Sequence, residues 1–177
     1  MKYQGMILLV ALCTLMSACD MPDTTLANGA ITLKSDIVTL HVSGAPDAAI
    51  NAAGDLQVGD KVVPVNAAER GLLMMYYQSV HDVGHTGREM GKVGTKMGAK
   101  ALKDKMEGKS KTDQSQDTEA GGQQLRELSL QICQDQANIK TVQDQLTAQL
   151  ADFKPYANII TQDSVTSCQK DNDDDKD

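Results

Sequence analysis

The 177-residue chain has no tryptophan, a single phenylalanine (Phe153) and four tyrosines. Large aromatic anchors are nearly absent, so any interior must be built from Leu, Ile, Val, Met and Ala. Basic residues are also in deficit. A net charge of -7 argues against nucleic acid as the main partner. The longest apolar run, "GMILLVALCTL" near the N-terminus, falls short of the ~20 residues a membrane-spanning helix requires. The sequence also lacks a nucleophile elbow, a phosphate-cradling glycine loop and any distinctive pair of acids. The ending "DNDDDKD" has neither the loop glycine nor the terminal Glu of an EF-hand, and reads as a solvated, disordered tail over 169–177. What remains is room for one ordinary domain with a modest core.

The first nineteen residues point to export. Lys2 supplies a basic start, the apolar run follows, and small residues precede Cys19, which together form a signal peptide over 1–18. Met16, Ser17, Ala18 and Cys19 resemble the lipobox of bacterial lipoproteins, with Met16 where Leu is usual. The resemblance implies that Cys19 is acylated, becomes the new N-terminus and anchors the chain to a membrane of the cell envelope, facing the periplasm. An ordinary signal peptide cleaved nearby is the alternative. Asp20 points to inner-membrane retention where the enterobacterial sorting rule applies, the outer membrane being the alternative. Cys13 leaves with the signal and Cys19 carries lipid, so Cys133 and Cys168 remain as an even pair in an oxidising compartment. A disulfide between them is expected, two buried free thiols being the alternative.

Along the mature chain, residues 19–30 are polar and turn-rich, as a tether should be. Val38, Leu40 and Val42 alternate with Thr39 and His41 in a first strand. Gly54-Asp55 and Gly59-Asp60 then separate short runs around Ile50, Leu56, Val58, Val62 and Val65, a small antiparallel meander with Pro64 at a strand end or edge. Asn66 and Glu69 have capping-box spacing, so a helix begins at Ala67 and continues to about Met106. A polar linker at about 107–122 follows. The last helix, from about Gln123 to Leu150, carries Leu125, Leu128, Ile132, Ile139, Val142, Leu146 and Leu150 on one stripe. The chain leaves that helix at Pro155 and returns Cys168 toward Cys133. The fold class is therefore α+β, a single domain over 31–168: a small meander, a long helix, a flexible linker and a second long helix closed by a disulfide.

Within this span Gly54, Asp55, Gly59, Lys61, Asn66, Ala67, Ala68, Arg70, Tyr77 and Gln78 make the region similar to the YggN-like periplasmic proteins, with Glu69 replacing a Gln. The resemblance covers about thirty residues, with "FKPYA" and the Cys133–Cys168 segment fitting more loosely. It implies a secreted helical protein with a small N-terminal sheet and no assigned activity.

Two features carry candidate chemistry. His81 and His85 stand one helical turn apart in "HDVGH", a spacing that can bring two imidazoles onto one metal ion. Asp82 replaces the Glu of the zinc-protease pattern, and no third ligand follows, so solvated helix residues are the plainer reading and a metal-dependent activity the alternative. Gly84, Gly87, Gly91, Gly94 and Gly98 gather on one narrow strip of the first long helix. Five such glycines cost about 4 to 5 kcal/mol of helix propensity, which calls for compensating contacts. Val83, Met90, Met97 and Ala101 edge the strip, and Arg88, Lys92, Lys96 and Lys100 recur on another side. Three arrangements fit. The glycine and Met faces pack on the Leu stripe of the last helix while the lysines are solvated, or the basic face rests on anionic lipid beside the anchor, or the strip self-associates into a homo-oligomer. The sequence thus supports a non-enzymatic, membrane-anchored envelope protein with a binding or structural role, no cofactor and no nucleic-acid partner. A metal-dependent enzyme or metal-binding protein using His81 and His85 is the alternative.

Overall fold

The computed structural model describes residues 23–108 and 111–174. The signal segment, Cys13, Cys19 and Asp20 lie outside the described residues, as does the end of the acidic tail.

Six strands form one antiparallel sheet in sequence order: β1 (Thr24–Leu26), β2 (Ile31–Lys34), β3 (Ile37–Leu40), β4 (Ala48–Asn51), β5 (Leu56–Val58) and β6 (Lys61–Val63). Three helices follow: α1 (Ala67–Met106), α2 (Lys111–Gln149) and α3 (Gln162–Asp174), with a 3-10 helix at Ala151–Tyr156. The architecture is α+β, a meander followed by long helices, as the hydrophobic patterning implies. No helix of the described residues is long and apolar enough to cross a membrane.

The sheet begins earlier than composition suggests. Residues 24–30 are not tether but the first hairpin, with Thr24 opposite Leu33 and Leu26 opposite Ile31. Ala27, Asn28 and Gly29 all take positive φ to close it. Asn-Gly is a strong hairpin signal when apolar strands flank it, and here the second strand, Ile31 and Leu33, supplies that context. The β2–β3 connection is a two-residue turn, Ser35 and Asp36, with φ of 48° and 60°. That is the left-handed pair that matches strand twist.

Alternation sends Ile31, Leu33, Val38, Leu40, Ala48, Ile50, Leu56 and Val63 to one face. Onto it pack Leu73, Tyr76 and Val80 of α1 and Ile139, Val142 and Leu146 of α2, with Phe153 and Tyr156 of the 3-10 helix closing the end. Three of the chain's few aromatic rings meet here, Tyr76 edge-on to Phe153 at 5.8 Å and Phe153 to Tyr156 at 5.7 Å. The Tyr156 hydroxyl donates to the Pro46 carbonyl at 2.6 Å, tying this end to the β3–β4 loop.

The α1–α2 connection falls inside the expected linker but is shorter than the polar composition implies, because the backbone is helical again from Lys111. The C-terminal segment departs further. Residues 162–174 form α3 rather than coil running into a disordered tail from 169. A Thr161/Ser164 cap starts this helix, the Ser164 amide donating to Thr161 Oγ1 at 3.1 Å. Cys133 and Cys168 are at disulfide distance, with Cα atoms 5.6 Å apart. Asn172, one turn beyond Cys168, donates to the Cys168 carbonyl at 2.8 Å and lies 3.1 Å from the Cys133 sulfur.

Candidate functional site

The hairpin of α1 and α2 presents the surface that the sequence singled out. α1 starts where expected: Asn66 Oδ1 accepts from the Ala68 and Glu69 amides, and Glu69 accepts from the Asn66 amide at 2.8 Å, a complete capping box. One turn on, Arg70 Nη1 donates to Asp55 Oδ1 at 2.5 Å and to the Ala53 carbonyl at 3.2 Å, which pins the β4–β5 turn to the helix. Hydrogen bonds from Arg70 and then Asn51 hold the Asp55 carboxyl below its ordinary pKa. Gly54 is required at this junction, since its φ is +73° and a Cβ would lie 2.6 Å from the Arg70 carbonyl oxygen.

From Leu73 one line of residues at steps of three and four runs through Tyr77, Val80 and Gly84 to Gly87, Gly91, Gly94 and Gly98. Its first half is buried against the sheet; its second half is the glycine strip. The transition falls at Gly84, where a Cβ would meet Thr24 Oγ1 of the edge strand β1 at 2.6 Å. Past that point nothing among the described residues lies within 4 Å of the Cβ position at Gly87, Gly91, Gly94 or Gly98. Packing of the strip on the Leu stripe of the last helix is therefore not what the chain does. The strip continues the sheet-facing side of α1 beyond the edge of the sheet, whereas α2 runs along a different side. The side that meets α2 carries buried Thr86, Val93 and Asp104, with half-buried Met90 and Met97. There the close approach comes from Gly121 of α2, whose bare Cα is occupied by the Met97 thioether. Within the helices the glycines in close contact are thus Gly84 and Gly121, which only the partner residue across each contact reveals. A cavity of about 230 Å³ opens at this interface, lined by Val93, Met97, Gly121, Lys96, Lys100 and Asp104 among others.

Of the four expected basic residues, Lys92, Lys96 and Lys100 are exposed and Arg88 is half-buried. Lys92 donates to Glu89 at 2.7 Å, a hydrogen bond that lowers the Glu89 pKa. Near the tip of the hairpin Leu102 and Met106 are 67% and 88% exposed, one helical turn apart on the side directed away from α2.

The two histidines stand in different surroundings. The His81 ring stacks on Tyr77 with centroids 6.3 Å apart, and its Nδ1 is 3.9 Å from Asp82 Oδ1, while His85 is exposed. Among the described residues no three His, Cys, Asp or Glu side chains are grouped to hold a metal ion. Across the hairpin from Asp82 lies Asp135, whose pKa is raised by burial and then by the Asp82 charge. Its Oδ2 is buried without a hydrogen-bond partner.

Sequence spacing gave no role to His41. On the outer face of the sheet its Nδ1 lies 2.9 Å from Asp47 Oδ1 and its Nε2 3.4 Å from Thr32 Oγ1. A proton on Nδ1 leaves Nε2 to accept from the Thr32 hydroxyl, the polarity of a nucleophile–base–carboxylate relay. With the His41 and Asp47 side chains 41% and 62% exposed, water competes for every member. The trio acts as a clasp holding the β3–β4 loop to β2.

No family model matches the sequence, and comparison with curated proteins and with solved structures returns no match.

Proposed function

We propose that the protein is a lipoprotein of the bacterial cell envelope, anchored through Cys19, whose role is to bind or brace rather than to catalyse. The observation that carries this reading is the placement of the tether relative to the unpartnered helix face. Thr24, five residues after Cys19, packs on Gly84, where α1 leaves the sheet and its free face begins. A lipid on Cys19 therefore holds the base of the α1–α2 hairpin within about 18 Å of the membrane, the full stretch of five residues. The face formed by Gly87, Gly91, Gly94 and Gly98, with Arg88, Lys92, Lys96 and Lys100 beside it, is the surface offered to a partner or to the membrane.

The test is metabolic labelling with a fatty acid, followed by fractionation. Wild-type protein takes up label and sediments with membranes, and Cys19→Ser does neither. A wild-type protein that carries no label and is recovered in the soluble periplasmic fraction refutes the tether.

A further inference from the structure

We infer that the tip half of α1 docks on an anionic phospholipid surface, the face containing Leu102 and Met106 lying against the headgroups. This deepens the lipoprotein reading and rests on it for the nearness of the membrane, but the docking chemistry belongs to the helix itself.

Three observations converge. First, Leu102 and Met106 are among the most exposed large apolar side chains of the described protein, at 67% and 88%. They follow Gly98 at steps of four residues, next to the exposed small residues Thr95 and Ala99, so the helix presents a continuous smooth face with an apolar end. Second, charge complements such a surface. Between Gly84 and Gly108 there are six cations and three anions, in a chain whose net charge is -7. One of those anions, Asp104, is buried in the α2 interface, 2% exposed. Lys92, Lys96 and Lys103 line one side of the Leu102–Met106 face and Lys105 the other; Lys92 and Lys103 pair with Glu89 and Glu107 in exposed ion pairs, weak contacts that headgroup phosphates can replace while short apolar groups enter between them. Third, the chain preceding the fold ends at the right place. It enters β1 beside Gly84, so a lipid at Cys19 holds the membrane nearer to the base of the overhang than the overhang is long, about 33 Å from Gly84 to Met106. Because β1 stands on the same side of α1 as the Leu102–Met106 face, the helix has only to tilt until its tip meets the surface. A tethered contact of this kind operates at high effective concentration, so a weak basic-apolar face is sufficient.

The occupant is lipid rather than a second copy because the face is flanked by like charges that would confront one another across a symmetric pair. The same lysines are attracted to phosphatidylglycerol or another anionic headgroup within a Debye length.

The full-length protein carrying Leu102→Cys, labelled with a polarity-sensitive fluorophore, reads the contact directly. It is recovered from cells, scored for fatty-acid label, and mixed with or reconstituted into vesicles of phosphatidylcholine alone or with phosphatidylglycerol. The fluorophore shifts to the blue on the anionic vesicles only, and high salt reverses the shift. Adding Lys92→Gln, Lys96→Gln, Lys103→Gln and Lys105→Gln raises the anionic vesicle concentration needed by on the order of tenfold or more. Because the probe is read on acylated or non-acylated chain alike, a missing fatty-acid label refutes the tether without touching the docking result. No shift on anionic vesicles at low salt overturns the proposal. So does an equal shift on neutral vesicles, and so does a concentration-dependent shift without vesicles, which assigns the face to a second copy.

Discussion

Three polar side chains inside the protein decide different things. Gln143 is fully buried, and its Nε2 donates to the Ala157 and Ile160 carbonyls at 2.6 and 2.9 Å while its Oε1 accepts from the Ile160 amide at 3.1 Å. It satisfies the backbone between the 3-10 helix and α3, where no ladder is present to do so. Gln143→Leu leaves those groups unpaired and is expected to lower unfolding free energy by roughly 2 to 4 kcal/mol in urea melts. The buried Tyr76 hydroxyl, by contrast, has no hydrogen-bond partner among the described residues, and burial pushes its pKa up. Asp135 is the pH-sensitive member. Its folded pKa is raised from the ordinary 3.8, so ionisation opposes folding above the folded pKa. The penalty disappears as pH falls from the folded pKa to the unfolded value. Asp135→Asn is therefore expected to melt higher than wild type at pH 7, with the difference closing below about pH 4; an equal gap at both pH values contradicts this. Residue-scale legibility was uneven. The Asn66/Glu69 box follows from spacing and the Cys133/Cys168 pairing from cysteine count, whereas Gln in a helical pattern reads as surface, and only the returning segment at 157–160 gives Gln143 its partners.

At the scale of elements, what was legible depended on period. The apolar stripe of α2 and the alternation in β3 are long enough to be read, and both are where patterning puts them. Strands β1 and β2 were not, because Thr24–Leu26 has three residues and the polar Thr and Asn around it resemble a tether. α3 was missed because its acidic sequence has little apolar face. What it buries, Val165 and Asn172, is fixed by contacts to the α2 end of the molecule rather than by its own period. The glycine strip was correctly located on a helix, and of its three expected arrangements packing on the last helix is the one the chain does not adopt, since glycine spacing specifies a face without specifying a neighbour. The open and filled glycines are expected to respond oppositely. Gly91→Ala, with nothing within 4 Å of its Cβ position, is expected to stabilise by about 0.8 to 1 kcal/mol through helix propensity alone. Gly84→Ala must displace Thr24 from 2.6 Å, so its gain is erased or reversed as β1 is pushed off. Thermal melts of the two variants side by side check this, and equal stabilisation by both contradicts the assigned packing.

At the scale of the whole molecule, the sheet with the first half of α1 and the second half of α2 shares one buried core. Beyond it, the rest of the hairpin projects as an arm. The Cys133–Cys168 link lies at the boundary, closing a separation of 35 residues and holding α3 to α2. In the chain-entropy picture such a loop is worth roughly 4 kcal/mol. Thiol trapping under denaturing conditions is expected to label neither cysteine until reductant is added, and reductant to lower the urea midpoint; quantitative labelling of both in unreduced protein contradicts the link. The proposed function turns on whether this body is held at a membrane, and intact-mass analysis of the mature protein addresses that most directly. It predicts a chain that begins at Cys19 and carries diacylglyceryl and N-acyl groups. A mature chain that begins at any other residue, or an unmodified Cys19, contradicts it.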